Sequence, residues 1–199
     1  MTTILGLTGS IGMGKSTTAK MFADRGLPVW DADAAVHRLY APGQPAAKAV
    51  AAAFPSVMEA DGSVSRPRLR ALIAQDPSGM DRLNAAVHPL VAADRADFIQ
   101  ANSNADIIVI DVPLLFETGG DAACDFVCVV SVPYDQQRAR VLARGMSEDD
   151  FQMILARQTP DAEKRERADY VIDTTSLDTA RDGVDDVLAD IRRQRTAHA

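Results

Sequence analysis

The sequence has little cysteine, no long apolar run and no excess of positive charge, and each shortage narrows the class of protein. Its two cysteines are too few for a structural zinc site. No uninterrupted apolar stretch approaches the length that spans a bilayer, so we expect no membrane partner. The first residues lead directly into a glycine-rich loop instead of a signal peptide, so we expect a cytoplasmic protein.

The charge balance is acidic, with 21 lysines and arginines against 28 aspartates and glutamates and a net charge of −7. Without a dominant positive surface, the chain cannot replace the counterions of DNA or RNA, so we expect no nucleic-acid partner. Any anionic ligand must then be held by cations that are gathered in one place. Nothing in the sequence predicts an obligate protein partner.

Apolar stretches alternate with helical segments along the 199 residues, a length that suits one domain with small inserted lobes. Strands buried on both faces are apolar throughout, so this alternation predicts an α/β fold with a mostly parallel sheet between helical layers. The predicted strands are 3–8, 27–30, 106–112, 125–132 and 169–172. Alanine-rich, helix-spaced segments fill 34–104, and a shorter arginine-rich helical segment fills 138–167. We therefore predict a core of 1–33, 105–137 and 168–199 with two helical insertions.

Residues 9–16 match the phosphate-loop pattern G-x-x-x-x-G-K-[ST] at every fixed position, between a predicted strand and a predicted helix. Glycines allow successive backbone N–H groups to converge on phosphate oxygens at the positive end of a helix. Lys15 adds a charge against the β- and γ-phosphates, and the Ser16 hydroxyl can bind Mg²⁺. The predicted nucleotide-binding residues are Gly9, Ser10, Ile11, Gly12, Met13, Gly14, Lys15, Ser16 and Thr17, with Ser16 as the metal ligand. Met13 occupies a position that the pattern leaves free.

The phosphate loop predicts a nucleotide but not a reaction. A guanine-reading N-K-x-D motif is absent, which disfavours a GTPase switch, and no apolar strand ends in the Asp-Glu pair of a motor-like ATPase. The compact chain with two helical insertions favours a P-loop kinase of small metabolites, in which one insertion binds the acceptor and the other closes as a lid. The alternatives are a related kinase for another acceptor, such as a nucleoside monophosphate or a sugar acid, and a non-catalytic ATP-binding module.

Two aspartates, Asp31 and Asp33, follow the second predicted strand. Phosphoryl transfer needs a group that orients the attacking hydroxyl and accepts its proton, and a carboxylate at a strand end beside the phosphate loop can do this. An aspartate just before the helical stretch AAVHRLY is equally well placed to cap that helix. The residues alone leave both interpretations open.

The chain resembles the dephospho-CoA kinase family in five stretches with the same order and spacing: LTGSIGMGKST, DAD, LNAAVHP, VPLLFE and QRARVLAR. The resemblance extends from residue 4 to about residue 173. It implies transfer of the γ-phosphoryl group of ATP, with Mg²⁺, to the ribose 3′-hydroxyl of dephospho-CoA. It also implies that Asp33 is the general base and that Arg140, the arginine of the lid, acts in catalysis with Lys15.

The remaining candidate residues each have a structural alternative. His88 either binds the acceptor within 34–104 or packs at a helix kink beside Pro89. The apolar residues after the strand at 106–112 either line an acceptor pocket or continue the core, and Asp111 either supports Mg²⁺ through water or simply ends the strand. The predicted substrate-binding residues are Asp33, His88, Pro113, Leu114 and Leu115.

The arginines of 138–167 supply the local cations that an acidic phosphate-binding protein needs. Arg140 and Arg144 are four residues apart, so both project from one helix face, and Arg144 is predicted to help bind the nucleotide. Solvent-facing positions are expected for Arg138, Arg165 and Arg167. Thr174 and Thr175 follow the last strand, where the family often carries an asparagine, so this departure affects the predicted selectivity for adenine.

Overall fold

The structure of the chain is a computed structural model that describes residues 2–197. The strands are β1 (Thr3–Thr8), β2 (Val29–Asp31), β3 (Ile107–Asp111), β4 (Phe126–Ser131) and β5 (Tyr170–Asp173). The helices are α1 (Lys15–Asp24), α2 (Ala32–Leu39), α3 (Pro45–Ala53), α4 (Arg66–Ile73), α5 (Gly79–Ala101), α6 (Tyr134–Ala143), α7 (Glu148–Leu155), α8 (Asp161–Arg167) and α9 (Leu177–Ala197). The chain divides into two compact units: the first comprises the residues up to Trp30 and those from Asn102 onward, and the second is Asp31–Ala101.

The five strands form one sheet in the order β2-β3-β1-β4-β5, so β1 lies at its centre. β1 pairs in parallel with β3 on one side and β4 on the other, and β4 pairs in parallel with β5. The register places Asp111 beside Leu7 and Val129 beside Thr8. The strand order reverses direction at β1, and open α/β sheets bind their ligands at the carboxyl ends of strands at such a point. The predicted α/β fold with a mostly parallel sheet is confirmed.

Both faces of the sheet are buried, and the residues of its central strands are mostly apolar. On one face, the core joins strand residues to α1 and α9 and includes Leu5, Ile107, Phe22, Val184 and Ile191. Alternate residues of β4 point to the other face, where Val127 and Val129 pack with Leu115 and Phe116. β1 is therefore held in place by the two strands that pair with it and by a packed core on each face of the sheet.

The second unit is helical and has a core of its own. That core includes Leu39, Val50, Phe54, Leu69 and Val87. The Arg82 guanidinium lies 4.6 Å from the centre of the Phe54 ring, a cation–π contact that ties α5 to the end of α3. α5 is 23 residues long and contains Pro89 in its interior.

The arginine-rich segment 138–167 lies within the first unit and contains α7, α8 and most of α6. Residue 138, where this insertion is predicted to start, falls inside α6, since the helix begins after Pro133. The division of the chain into core, acceptor lobe and lid stays a prediction. Across residues 2–197, no helix combines the length and the apolar character needed to cross a bilayer.

Candidate active site

The phosphate loop connects the carboxyl end of β1 to the N-terminus of α1. Gly14, the residue before α1, has a φ of 90°, a left-handed conformation that glycine adopts without steric cost. Gly9 lies against β4, and a Cβ atom there would stand 2.9 Å from the carbonyl oxygen of Val130. The two glycines let the loop fold closely against the sheet and begin the helix abruptly. The first N–H groups of α1 lack intrahelical acceptors, so this end of the helix favours an anion.

The Met13 side chain anchors the loop to the sheet. It is 2% exposed, and its sulfur accepts a hydrogen bond from the Val132 N–H at 3.2 Å. The pattern leaves this position free because phosphate binding uses the backbone of the loop. The structure shows that the side chain nevertheless fills a core position, a role that the spacing of the motif did not reveal.

Two glutamines outside the loop hold the backbone N–H and carbonyl of Ile11. Gln137 on α6 donates through Nε2 to the Ile11 carbonyl at 2.7 Å, and the Gln158 Oε1 atom accepts the Ile11 N–H at 3.1 Å. Sequence reasoning missed both residues, because a neutral glutamine in a helical insertion carries no pattern that marks it.

Lys15 forms an ion pair with Asp111, the last residue of β3. Asp111 is 2% exposed, so its charge is removed from water and the ammonium group of Lys15 compensates for it. The role predicted for an aspartate after the second strand stays a prediction. In the sheet, β3 lies between β1 and β2, so the strand-end carboxylate next to β1 is that of Asp111.

The donor atoms near the loop suit Mg²⁺ held together with a nucleotide. The Ser16 hydroxyl is exposed in the first turn of α1, and Asp111 contributes a carboxylate, both being oxygen donors of the kind that Mg²⁺ prefers. Within the described part of the chain, no group of three or more His, Cys, Asp or Glu residues could hold a metal ion. The residues therefore fit an ion that also takes oxygens from a bound polyphosphate.

A cavity of about 470 Å³ lies at the far end of the loop, beside the first turn of α1. Its lining includes Thr17, Arg140, Arg144, Thr174 and Leu177. One wall is the turn between β5 and α9, and the opposite wall is the end of α6. The cavity is open to solvent and large enough for a nucleoside.

Arg140 is half-buried at the edge of this cavity. Its Nη2 atom donates to the Thr174 carbonyl at 2.6 Å and to the Thr175 carbonyl at 3.4 Å. Arg144, the residue that ends α6, is exposed on the same cavity. The structure thus brings the two arginines together with the phosphate loop and with Thr174, whose position after the last strand the sequence had marked as a departure.

Three other arginines of the segment pair with carboxylates at the surface. Arg138 contacts Glu148 at 2.7 Å, Arg165 contacts Asp161 at 3.9 Å, and Arg167 contacts Asp121 at 3.1 Å. The solvent-facing positions expected for these three arginines agree with this placement, since each is between 40% and 55% exposed.

Of the apolar candidates after β3, Leu114 is accessible and Leu115 is not. Leu114 is 42% exposed, whereas Leu115 is fully enclosed in the core with Phe116. Pro113 is half-buried, and its carbonyl accepts a hydrogen bond from the Thr8 hydroxyl at 3.2 Å. Direct contact with a ligand is therefore open to Leu114 and Pro113.

The second unit contains Asp31, Asp33 and His88. The Asp31 carboxylate accepts the Ala34 N–H at 2.9 Å and caps α2. Asp33 is exposed in the first turn of that helix, and His88 is exposed on α5 next to Pro89. Capping is thus the role of Asp31, and the Asp33 carboxylate is accessible.

A phosphate loop at the reversal point of a parallel sheet, a loop lysine paired with a strand-end aspartate, and a nucleoside-sized cavity define a P-loop nucleotide-binding protein of the kinase type. The chain belongs to the dephospho-CoA kinase family, whose family model matches residues 3–179. The resemblance described from the five sequence stretches is therefore confirmed.

Individual relatives agree with the family model. The chain is 56% identical to the dephospho-CoA kinase of Ruegeria pomeroyi over 193 residues, 96% of this chain and 97% of that protein. It is 58% identical to the dephospho-CoA kinase of Jannaschia sp. over 184 residues, which cover 92% and 94% of the two chains.

Solved structures show the same fold. A Thermus thermophilus protein superposes with a TM-score of 0.82 at 32% identity, over 95% of this chain and 97% of that one. The dephospho-CoA kinase of Campylobacter jejuni superposes with a TM-score of 0.73 at 22% identity, over 98% of this chain and 100% of that one.

Proposed function

We propose that this protein transfers the γ-phosphoryl group of ATP to the ribose 3′-hydroxyl of dephospho-CoA, giving coenzyme A and ADP. Membership of the dephospho-CoA kinase family over residues 3–179 is the observation that carries the proposal. Relatives of that name align with the chain along nearly their full length. The protein is accordingly a phosphotransferase with an alcohol group as acceptor.

The triphosphate of ATP is proposed to lie in the loop, with the nucleoside in the cavity beside Thr17. Lys15 then exchanges its partner Asp111 for the β- and γ-phosphates. Bound Mg²⁺ would neutralise charge on the β- and γ-phosphate oxygens, with the Ser16 hydroxyl as its protein ligand and Asp111 supporting its water ligands. This assignment is supported by the ion pair between Lys15 and Asp111, which keeps both charged groups at the loop before the nucleotide binds.

Asp33 is proposed to orient the acceptor hydroxyl and to accept its proton during transfer. Two observations support this role: the Asp33 carboxylate is exposed, and the helix-capping function belongs to Asp31 instead. A carboxylate that is not used as a cap can turn toward a ligand without destabilising α2.

Residues 138–167 are proposed to act as a lid that closes over the nucleotide and excludes water. Arg140 is proposed to stabilise charge on the transferring phosphoryl group, and Arg144 to contribute to nucleotide binding. For Arg140 to reach a phosphate, its guanidinium must leave the carbonyls of Thr174 and Thr175. This role therefore requires a rearrangement at the end of α6 when ATP binds.

The acceptor is proposed to bind through 34–104 and the segment after β3. His88 and Leu114 are exposed and Pro113 is half-buried, so each can touch a ligand. Leu115 is enclosed, so its contribution is to hold that segment in place. Because the donor is ATP, we propose the cytoplasm as the location of the reaction.

Mass spectrometry of dephospho-CoA incubated with the protein, ATP and Mg²⁺ tests the proposal. One added phosphate at the ribose 3′ position is the expected result. A parallel panel of nucleoside monophosphates and sugar acids tests for a different acceptor. Tight ATP binding with no acceptor-stimulated release of ADP would instead identify a non-catalytic ATP-binding module.

A further inference from the structure

The backbone N–H and carbonyl of Ile11, which belong to two successive peptide units, are each bonded to a side chain outside the phosphate-loop motif. Gln137, which is buried on α6, contacts the Ile11 carbonyl, and Gln158, in the turn between α7 and α8, accepts the Ile11 N–H at 3.1 Å. A phosphate loop binds its ligand through backbone N–H groups, so the orientation of each peptide determines how well the loop accepts phosphate.

The turn that carries Gln158 is fixed in its own right by Glu117, in the segment after β3. The Glu117 Oε1 atom accepts the Thr159 N–H at 2.8 Å and lies 2.9 Å from the Lys164 ammonium nitrogen. Lys164 is 0% exposed, so its charge depends on Glu117 for compensation. Glu117 thus holds the residue next to Gln158 and, through Lys164, the helix that follows.

We propose that Gln158 is a positioning residue for the nucleotide. Its carboxamide oxygen accepts the Ile11 N–H and so fixes the Ser10–Ile11 peptide, which sets the orientation of the neighbouring loop N–H groups that bind phosphate, and the Glu117–Lys164 pair holds Gln158 in place. The inference rests on the proposed kinase function, which supplies the nucleotide. When only part of a population has the binding-competent arrangement, the apparent dissociation constant rises in inverse proportion to that part. Loss of Gln158 therefore weakens ATP binding, whereas saturating ATP restores the competent loop.

The substitution Gln158→Met tests the proposal, because methionine keeps the length of the side chain and removes the acceptor oxygen. We expect faster hydrogen exchange of the Ile11 amide by NMR and a dissociation constant for MgATP that is about 5- to 10-fold higher by calorimetry without acceptor. We expect kcat at saturating ATP to stay within about twofold of the parent value. Gln136→Met, at an exposed position on α6, is the matched control and should change none of these quantities.

An unchanged dissociation constant in Gln158→Met would overturn the positioning role, and unchanged exchange of the Ile11 amide would refute the contact itself. Glu117→Gln should raise the dissociation constant in the same direction, and its effect should not add to that of Gln158→Met. Additive effects would refute the supporting role of Glu117. Gln158→Met decides the main claim if Glu117→Gln does not fold. Since nucleotide binding is measured without acceptor, a failure to phosphorylate dephospho-CoA would refute the proposed function alone.

Discussion

The Thr174 hydroxyl donates to the Met13 carbonyl at 2.7 Å, so the residue after the last strand is bonded directly to the phosphate loop. The carbonyl of the same threonine accepts a hydrogen bond from Arg140 Nη2 at 2.6 Å. The loop, β5 and α6 are therefore linked through one small side chain and its backbone. The link connects parts of the chain that are 161 residues apart.

Removing this hydroxyl should loosen the loop. Thr174→Val keeps the shape of the side chain and leaves the Met13 carbonyl without its donor. We expect the free energy of unfolding to fall by about 1–2 kcal/mol and the KM for ATP to rise. Urea denaturation and steady-state kinetics measure the two effects. Thr175→Val is the matched control: its hydroxyl lies 3.5 Å from that of Thr179, so its stability should change by less than about 0.5 kcal/mol.

The sulfur of Met13 should contribute a measurable hydrogen bond. Met13→Leu conserves volume in the core but leaves the buried Val132 N–H without its acceptor. We expect a loss of about 1–2 kcal/mol in the free energy of unfolding, which is more than a volume-conserving exchange of apolar residues usually costs. Met21→Leu, in the same core cluster, is the comparison. Equal losses at the two positions would show that the sulfur contact has no energetic weight.

Lys15 should be required for turnover, and another lysine of the same helix should not. Lys15→Met removes the charge proposed to bind the β- and γ-phosphates, so we expect kcat/KM for ATP to fall by at least about 100-fold. Lys20→Met breaks only an exposed pair with Asp24 at 2.6 Å and should leave turnover unchanged. Coupled measurement of ADP release compares the two variants. Full activity in Lys15→Met would remove this residue from the proposed mechanism.

Substitutions at Asp33 and Asp31 should separate the proposed catalytic role of one carboxylate from the helix-capping role of the other. Asp33→Asn removes the proposed base, so we expect turnover to fall by roughly 100-fold or more with nearly unchanged affinity for ATP. Asp31→Asn keeps a good cap for α2, so it should preserve both stability and turnover. Single-turnover kinetics and calorimetry make the comparison. The base assignment fails if Asp33→Asn turns over at the parent rate.

Because of the Glu117–Lys164 pair, the free energy of unfolding should fall as the pH is lowered into the acid range. Burial alone would raise the pKa of Glu117, but its bonds with Lys164 and the Thr159 N–H outweigh burial and lower the pKa below its ordinary value of 4.5. A carboxyl group with a lowered pKa stabilises the fold above the ordinary value, and this contribution disappears as the pH falls through the lowered pKa.

Glu117→Gln should therefore be less stable than the parent at pH 7, and the difference should shrink as the pH drops below about 4.5. The urea midpoints of the two proteins, measured at about pH 3 to about pH 7, compare their stabilities across the pH range in which the carboxyl group loses its charge. A constant difference between the two proteins across this range would contradict a role for the ionised carboxylate.

The sheet and the phosphate loop could be predicted because their causes are local. Apolar runs mark strands that are buried on both faces, and the spacing of Gly9, Gly14 and Lys15 reflects the steric needs of a phosphate cradle. These features depend on residues that are close in the sequence.

The side-chain contacts of the loop could not be predicted in full because they depend on the order of the strands: the sequence offered Asp111 as a support for Mg²⁺ but did not reveal its ion pair with Lys15. Asp111 lies beside the loop only because β3, and not β2, is the neighbour of β1. Lys164 belongs to the charged stretch DAEKRER, which is typical of a solvated helix, and only tertiary packing encloses this one lysine beside Glu117. The approach of Thr174 to Met13 likewise needs strands that are distant in the sequence to meet.

The helical unit Asp31–Ala101 begins at the last residue of β2, an edge strand, and ends before β3. The pairings of β1 with β3 and β4, and of β4 with β5, involve no residue of that unit. Exchange of the whole unit for another helical module would leave the nucleotide-binding framework continuous. If the unit binds the acceptor as proposed, a new acceptor can be adopted by replacing one contiguous stretch of chain, and laboratory chimaeras can be joined at the same two points.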